Sequence, residues 1–169
     1  MAEETPPPTT PPSVPPPPPP SPEPEPQKGS KPPPKCKAIL IAEKVIVDAK
    51  DGRVSVIGII DKLLMPNFPV KTRPLWAFLL LTDGVGRYDV VIEIHDLQQD
   101  KIIGRGMGIA IHFPERLYKM NVIIPLPALT LTHPGAYDFV VIANGSEIDR
   151  QKFSAELPPK GPQDVQPSE

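Results

Sequence analysis

The residues with the means to do chemistry are few and scattered. Three histidines, His95, His112 and His133, and the single cysteine Cys36 make up the whole complement of imidazole and thiol. One pairing of imidazole and carboxylate is His112-Phe113-Pro114-Glu115. A hydrolytic or metal enzyme built on His112 and Glu115 needs a third polar group within reach of both. The sequence offers none nearby, and the proline between the pair reads as a turn. His133 precedes Pro134 and reads as a loop residue. His95 alternates with apolar positions and reads as standing on the outer face of a sheet. Cys36 has no second thiol for an internal disulfide or a zinc site, and reads as a small residue at the start of a strand. No nucleophile elbow, phosphate loop or dinucleotide fingerprint occurs. Gly104-Arg105-Gly106-Met107-Gly108 lies mid-strand, where glycines mark a bulge or a close approach of backbones. The chain thus leans away from an enzyme and calls for no cofactor.

Hard oxygen ligands are the remaining chemistry. Connections in an antiparallel fold alternate ends, so Asp48, Asp51 and Asp83 are expected at the same end, with Glu115, Asn144 and Glu147. These aspartates are the calcium candidates, because loop carboxylates at one end of a sandwich can form an oxygen cage. Turns favour aspartate and asparagine for their own reasons, and no Asp-x-Asp cluster occurs.

The elements that would hold these groups are strands. Between residues 35 and 157 stand 27 Val and Ile against 13 Leu, a surplus of β-branched side chains that suits a pleated surface. Short apolar runs between turn signals predict about eight strands, at 37–47, 54–64, 75–82, 87–97, 101–111, 117–126, 136–143 and 147–156. Alternation places Tyr88, Val90, Ile92 and Ile94 toward the core, as it does Tyr118, Met120, Val122 and Ile124, and Tyr137, Phe139 and Val141. An antiparallel two-sheet sandwich buries one face of such strands economically. Pro134-Gly135-Ala136-Tyr137 resembles the approach to a late strand of immunoglobulin-like sandwiches, where a tyrosine hydroxyl bonds back to nearby backbone.

Proline divides the chain. Of 28 prolines, 17 lie in residues 1–34, seven in 35–157 and four in 158–169, while all nine aromatic residues lie in 35–157. The expected organisation is a disordered proline-rich arm (1–34), one β-sandwich domain (35–157) and a disordered tail (158–169). The arm should populate polyproline II, reaching on the order of 90 Å over thirty residues at ~3.1 Å each. It serves either as a ligand for a polyproline-binding groove or as a spacer. The net charge of −2 is spread thinly, so no basic stripe suits nucleic acid and nothing draws the domain to anionic lipid. The longest apolar run, residues 75–81, is far short of the ~20 residues of a membrane helix. With no secretory signal in the first residues, the expected setting is cytoplasmic.

Lys37-Ala38-Ile39-Leu40-Ile41, then Val54-Ser55-Val56-Ile57-Gly58-Ile59-Ile60-Asp61, then Pro74-Leu75-Trp76 resemble a family of bacterial proteins that carries one uncharacterised domain. The shared pattern is a Lys-Ala apolar strand, a turn, a Ser-hydrophobic-Ile-Gly-hydrophobic strand and a late Pro-Gly-x-Tyr. It covers residues 35–157 and excludes both tails. The resemblance implies a β-sandwich of unknown function, with no catalytic residue to carry over.

The strongest functional signal is apolar. Leu75-Trp76-Ala77-Phe78-Leu79-Leu80-Leu81 sends apolar side chains to both faces of its sheet, and Val91, Val140 and Ile142 fall away from the core. A strand apolar on both sides needs a second cover, supplied by a connector such as 66–74 or 128–133, or by a partner. The expectation is a non-enzymatic interaction module, with Leu79, Leu81, Val91, Val140 and Ile142 meeting a protein partner or a second copy.

Overall fold

The computed structural model describes residues 31–159, and the expectations for the proline-rich arm and for the end of the tail fall on residues outside that range. The described residues form strands and turns without a helix. Twelve strands are present: β1 (Lys35–Val47), β2 (Val54–Ile59), β3 (Lys62–Leu64), β4 (Val70–Lys71), β5 (Leu75–Thr82), β6 (Gly86–Asp96), β7 (Lys101–Arg105), β8 (Ile109–Phe113), β9 (Met120–Leu126), β10 (Thr130–Leu131), β11 (Gly135–Ala143) and β12 (Ser146–Glu156). One sheet has the order β2-β1-β5-β9, and a second runs β3-β12-β11-β6-β7 with β8 also on β6. Both keep free edges, so neither closes into a barrel.

The inward faces of the two sheets share one core. Ile39, Ile41, Ala77, Leu79, Leu81, Val122 and Ile124 meet Tyr88, Val90, Ile92, Ile94, Tyr137, Phe139 and Val141, all buried. These are the alternate positions of their strands, as period two requires. Aromatic contacts tie the second sheet together: Phe153 stacks on Tyr137 at 5.3 Å and on Phe139 at 4.5 Å between centroids. Tyr88 meets Phe113 edge-on at 5.9 Å and 83°.

The expected antiparallel run of eight strands needs three corrections. The segment expected as one strand, 54–64, changes sheets midway. Gly58 takes φ 68, the Ile60 amide then donates to Ile41 of the first sheet at 2.7 Å, and the Asp61 carbonyl accepts from Ser154 of the second at 3.1 Å. Beyond that switch β3 pairs parallel with β12, Ser154 opposite Lys62. The segment expected as 101–111 is interrupted at Gly106-Met107-Gly108, giving β7 and β8 on the same edge of β6. A Cβ on Gly106 would stand 3.1 Å from Ile124 and Leu126, which is the close approach its glycines suggested. Finally, the two proline-bearing connectors pair with each other as β4 and β10. Thr72 closes that pair: its amide donates to the Leu129 carbonyl at 2.8 Å, and the Leu129 amide donates to its hydroxyl oxygen at 2.9 Å.

Strand β1 is shared unequally. Its residues up to Ala42 pair with β5 on one edge, and those from Ala42 onward pair with β2 on the other. The second half therefore runs past the sandwiched core as a hairpin, leaving Ile46 (40%), Val47 (52%), Ile57 (48%) and Ile59 (59%) exposed.

Candidate interaction surface

The residues of β5 do not divide as expected. Leu79 and Leu81 are 0% exposed and lie in the core, so neither belongs to an outer face. The outward positions of this strand are Trp76, Phe78 and Leu80. Pairing extends them into rows: Ala42, Trp76 and Pro125; Leu40, Phe78 and Ile123; Ala38, Leu80 and Asn121. Ile57 and Ile59 of β2 continue the same face, Ile59 lying opposite Ala42. Across this outer face Lys44, Ser55 and Asn121 interrupt the apolar side chains, and the Lys35–Thr82 row bounds them at one end. On this face Trp76 is exposed while Leu40, Phe78, Leu80 and Ile123 are half-buried, and β4 and β10 pair with each other.

Val91, Val140 and Ile142 lie on the outward face of the other sheet, on adjacent strands with Val91 opposite Ile142. The structure brings these three together but separates them from Leu79 and Leu81. Val140 is nearly covered, at 2%, between Glu93 and Arg150 in register. Next to it Asp138 is buried, accepting from Arg150 Nη1 at 3.1 Å, while its Oδ1 has no partner among the described residues. Arg150 also forks onto Glu147 at 2.8 and 2.7 Å, and its hydrogen bonds hold the Glu147 carboxyl below the ordinary range. At one end of this face Val91, Ile142, Arg105 and Asn144 line a cleft of about 540 Å³.

The calcium candidates do not converge. Asp48 and Asp51 sit in the β1–β2 turn, accepting from the amides of Lys50 and Arg53 at 2.7 and 3.1 Å. Asp83 lies at the other end of the 13-residue β1, paired with Lys35 at 3.1 Å, on the order of 40 Å away. The alternation of ends fails because the chain changes sheets at Ile60–Asp61. His112 and Glu115 are both exposed, the Glu115 carbonyl caps a turn by accepting from Tyr118 at 3.2 Å, and no third group completes a site. Among the described residues no cluster of three or more His, Cys, Asp or Glu could hold a metal ion. The Cys36 thiol is pushed up to about 12 by burial and by the nearby Asp149, which favours the thiol over the thiolate at neutral pH.

Sequence reasoning overlooked one ionic pair. Asp96, 1% exposed, meets His133 Nε2 at 2.9 Å. Burial pushes the Asp96 carboxyl up, but amide donors on Gln99 and Gln98 and the His133 ring outweigh it, so the carboxyl lies below its ordinary value. His133 Nδ1 lies 3.0 Å from the Pro134 carbonyl. An acceptor near each ring nitrogen favours the imidazolium form, and the His133 pKa is raised by the Pro134 bond first and then by Asp96, against burial and Lys101. The Tyr137 hydroxyl donates to the His133 carbonyl at 2.7 Å. The arrangement locks the turn after β6 to the loop before β11.

A pH window follows. The Asp96 contribution is present above the ordinary aspartate value of 3.8 and is lost as pH falls through its lower folded value. The His133 contribution is complete below 6.5 and is lost as pH rises through its higher folded value. Melting midpoints should therefore be highest between about 4 and 6.5 as far as this pair is concerned. His133→Gln should flatten the alkaline limb and Asp96→Asn the acid limb; unchanged limbs would contradict the pairing.

An all-β domain of several antiparallel sheets, with an apolar outer face on its four-stranded sheet, is the class these features define. The model of a family of unknown function, DUF6941, matches residues 37–156, and the chain belongs to that family. No curated protein matches. Among solved structures, a glycosyl hydrolase family 2 member from Bacteroides cellulosilyticus is similar at 13% identity and a TM-score of 0.35, over 54% of this chain and 13% of that one. The alkylpurine DNA glycosylase AlkC of Pseudomonas fluorescens, bound to DNA with an abasic-site analogue, is similar at 9% identity and a TM-score of 0.35, over 70% of this chain and 30% of that one. The chain spans less than a third of either.

Proposed function

We propose that this chain is a non-enzymatic interaction module, an immunoglobulin-like β-sandwich that binds a protein through the outer face of its four-stranded sheet. The observation that carries the reading is the apolar surface of Leu40, Trp76, Phe78, Leu80, Ile123 and Ile59, on which Trp76 remains 36% exposed and Ile59 59% exposed. Contiguous apolar surface of this kind is characteristic of interfaces, and tryptophan and other aromatics supply their anchors. The immunoglobulin-like assignment is supported by the orders β1-β5-β9 and β12-β11-β6-β7, and by Tyr137 bonding back to His133 as a tyrosine corner. The proline-rich arm presents or spaces the module, or itself meets a polyproline-binding groove. A cytoplasmic setting suits a lone cysteine.

Full-length protein carrying Trp76→Glu and Phe78→Glu should lose a partner captured by the wild type, with an unchanged melting midpoint. Retention of the partner would reject the reading. A second surface is favoured by the cleft of about 540 Å³ beside Val91 and Ile142, and Val91→Glu with Ile142→Glu addresses it separately.

A further inference from the structure

A cleft of about 780 Å³ opens where the chain crosses from one sheet to the other, walled by the β1–β2 hairpin, residues 60–65 and residues 71–75. That size falls within the range of small-molecule sites. Its charges are one-sided. Lys44, Lys62, Lys71 and Arg73 line it against a single carboxylate, Glu43, in a chain whose 20 acidic side chains outnumber its 18 lysines and arginines. Lys62 pairs with Glu156 at 3.0 Å. Lys44, Lys71, Arg73 and Glu43 form no ion pair among the described residues. Glu43 lies against Gly58, where a Cβ would stand 3.0 Å from its Cγ. Like charges gathered in a concave, partly apolar setting focus their field and draw in the opposite charge.

The backbone carrying two of these cations is fixed. Thr72 is buried between exposed Lys71 and Arg73. Its amide and hydroxyl both bond Leu129, which continues the β4–β10 register, and the hydroxyl also donates to the Arg73 carbonyl at 2.9 Å. An extended chain puts residues two apart on one side, ~7 Å from each other. Two cations so spaced bracket one acid group, and a guanidinium grips carboxylate or phosphate with two parallel bonds. Ile60, Leu63 and Leu75 line the same cleft and supply its apolar wall.

We propose that this cleft binds a small amphipathic anion, a carboxylate or phosphate on a short apolar body. The acid group meets Lys71 and Arg73, and the body lies against Ile60, Leu63 and Leu75. The site goes beyond the proposed partner-binding face. It shares Lys44 and Ile59 with that face but neither Lys71 nor Arg73, so separate variants address the two.

The experiment is calorimetric titration of the full-length protein with octanoate and with octyl phosphate, set against octanol, octyltrimethylammonium and inorganic phosphate. At least one of the two amphipathic anions should bind about tenfold or more tighter than all three comparison compounds, and should raise the melting midpoint. This comparison of head groups is made on the wild type and depends on no variant. Lys71→Glu with Arg73→Glu should weaken the binding at least about tenfold. Its midpoint without ligand should be unchanged, because both side chains are exposed. Trp76→Glu with Phe78→Glu should bind the anion as the wild type does. Anions that bind no better than octanol would overturn the proposal. So would an affinity indifferent to the Lys71/Arg73 reversal, or one lost only in the Trp76/Phe78 variant, which would put the anion on the outer sheet face.

Discussion

Leu79→Ala is expected to lower the unfolding free energy by about 3–5 kcal/mol, while Leu80→Ala, one residue later, changes it by less than about 1 kcal/mol. The contrast follows from placement alone. Leu79 is fully buried between the sheets, so truncation removes the transfer energy of its side chain and leaves a cavity that packed neighbours fill only in part. Leu80 lies outward and half-buried, opposite Ala38 on one side and Asn121 on the other, where water can enter the space left by the lost atoms. Urea unfolding of both variants measures the difference. Equal losses would mean that both parities of β5 are covered, and the outer face would cease to be an available surface.

Phe153→Ala should be at least as damaging, again about 3–5 kcal/mol. Its ring lies between two others, stacked on Tyr137 and Phe139, so the substitution removes two aromatic contacts together with the buried area. It also weakens the strand that joins the sheet switch to the body, since β12 pairs with β11 on one side and with β3 on the other. Thermal and urea unfolding should both register the loss. A change within about 1 kcal/mol would show that the aromatic stack contributes little to the fold.

The parts of the fold legible in the sequence are those where polar residues mark the phase. On β6, Asp89, Glu93 and His95 alternate with Val90, Ile92 and Ile94, so the inward face could be assigned from period two, and Val90, Ile92 and Ile94 are fully buried. Strand β5 carries no such marks from Leu75 to Leu81. An apolar run of one kind at both parities contains no phase information, and Leu79 and Leu81 were as good a choice of outer face as Phe78 and Leu80. The missing signal lay on the neighbouring strand. Asn121 marks the outward parity of β9, and pairing passes that parity to Leu80.

The sheet switch was illegible for a different reason. Residues 54–64 keep a strand-like apolar pattern throughout, and only Gly58, at φ 68, hints at the turn of the chain that sends β3 to the other sheet. That crossing also dissolved the calcium candidates, whose grouping depended on strictly alternating ends. The Asp96–His133 pair depended on a contact between residues 37 apart in sequence, which no local spacing encodes. The Tyr137 hydroxyl bond to the His133 carbonyl, by contrast, is local, within reach of the Pro134-Gly135-Ala136-Tyr137 turn.

The most direct test of the central claim is the affinity of the captured partner for three full-length proteins: the wild type, Trp76→Glu with Phe78→Glu, and Val91→Glu with Ile142→Glu. If the outer face of the four-stranded sheet is the binding surface, the first double variant loses at least about 100-fold in affinity, and the second stays within a few-fold of the wild type. Undiminished binding by the Trp76/Phe78 variant, or its loss only in the Val91/Ile142 variant, would contradict the account.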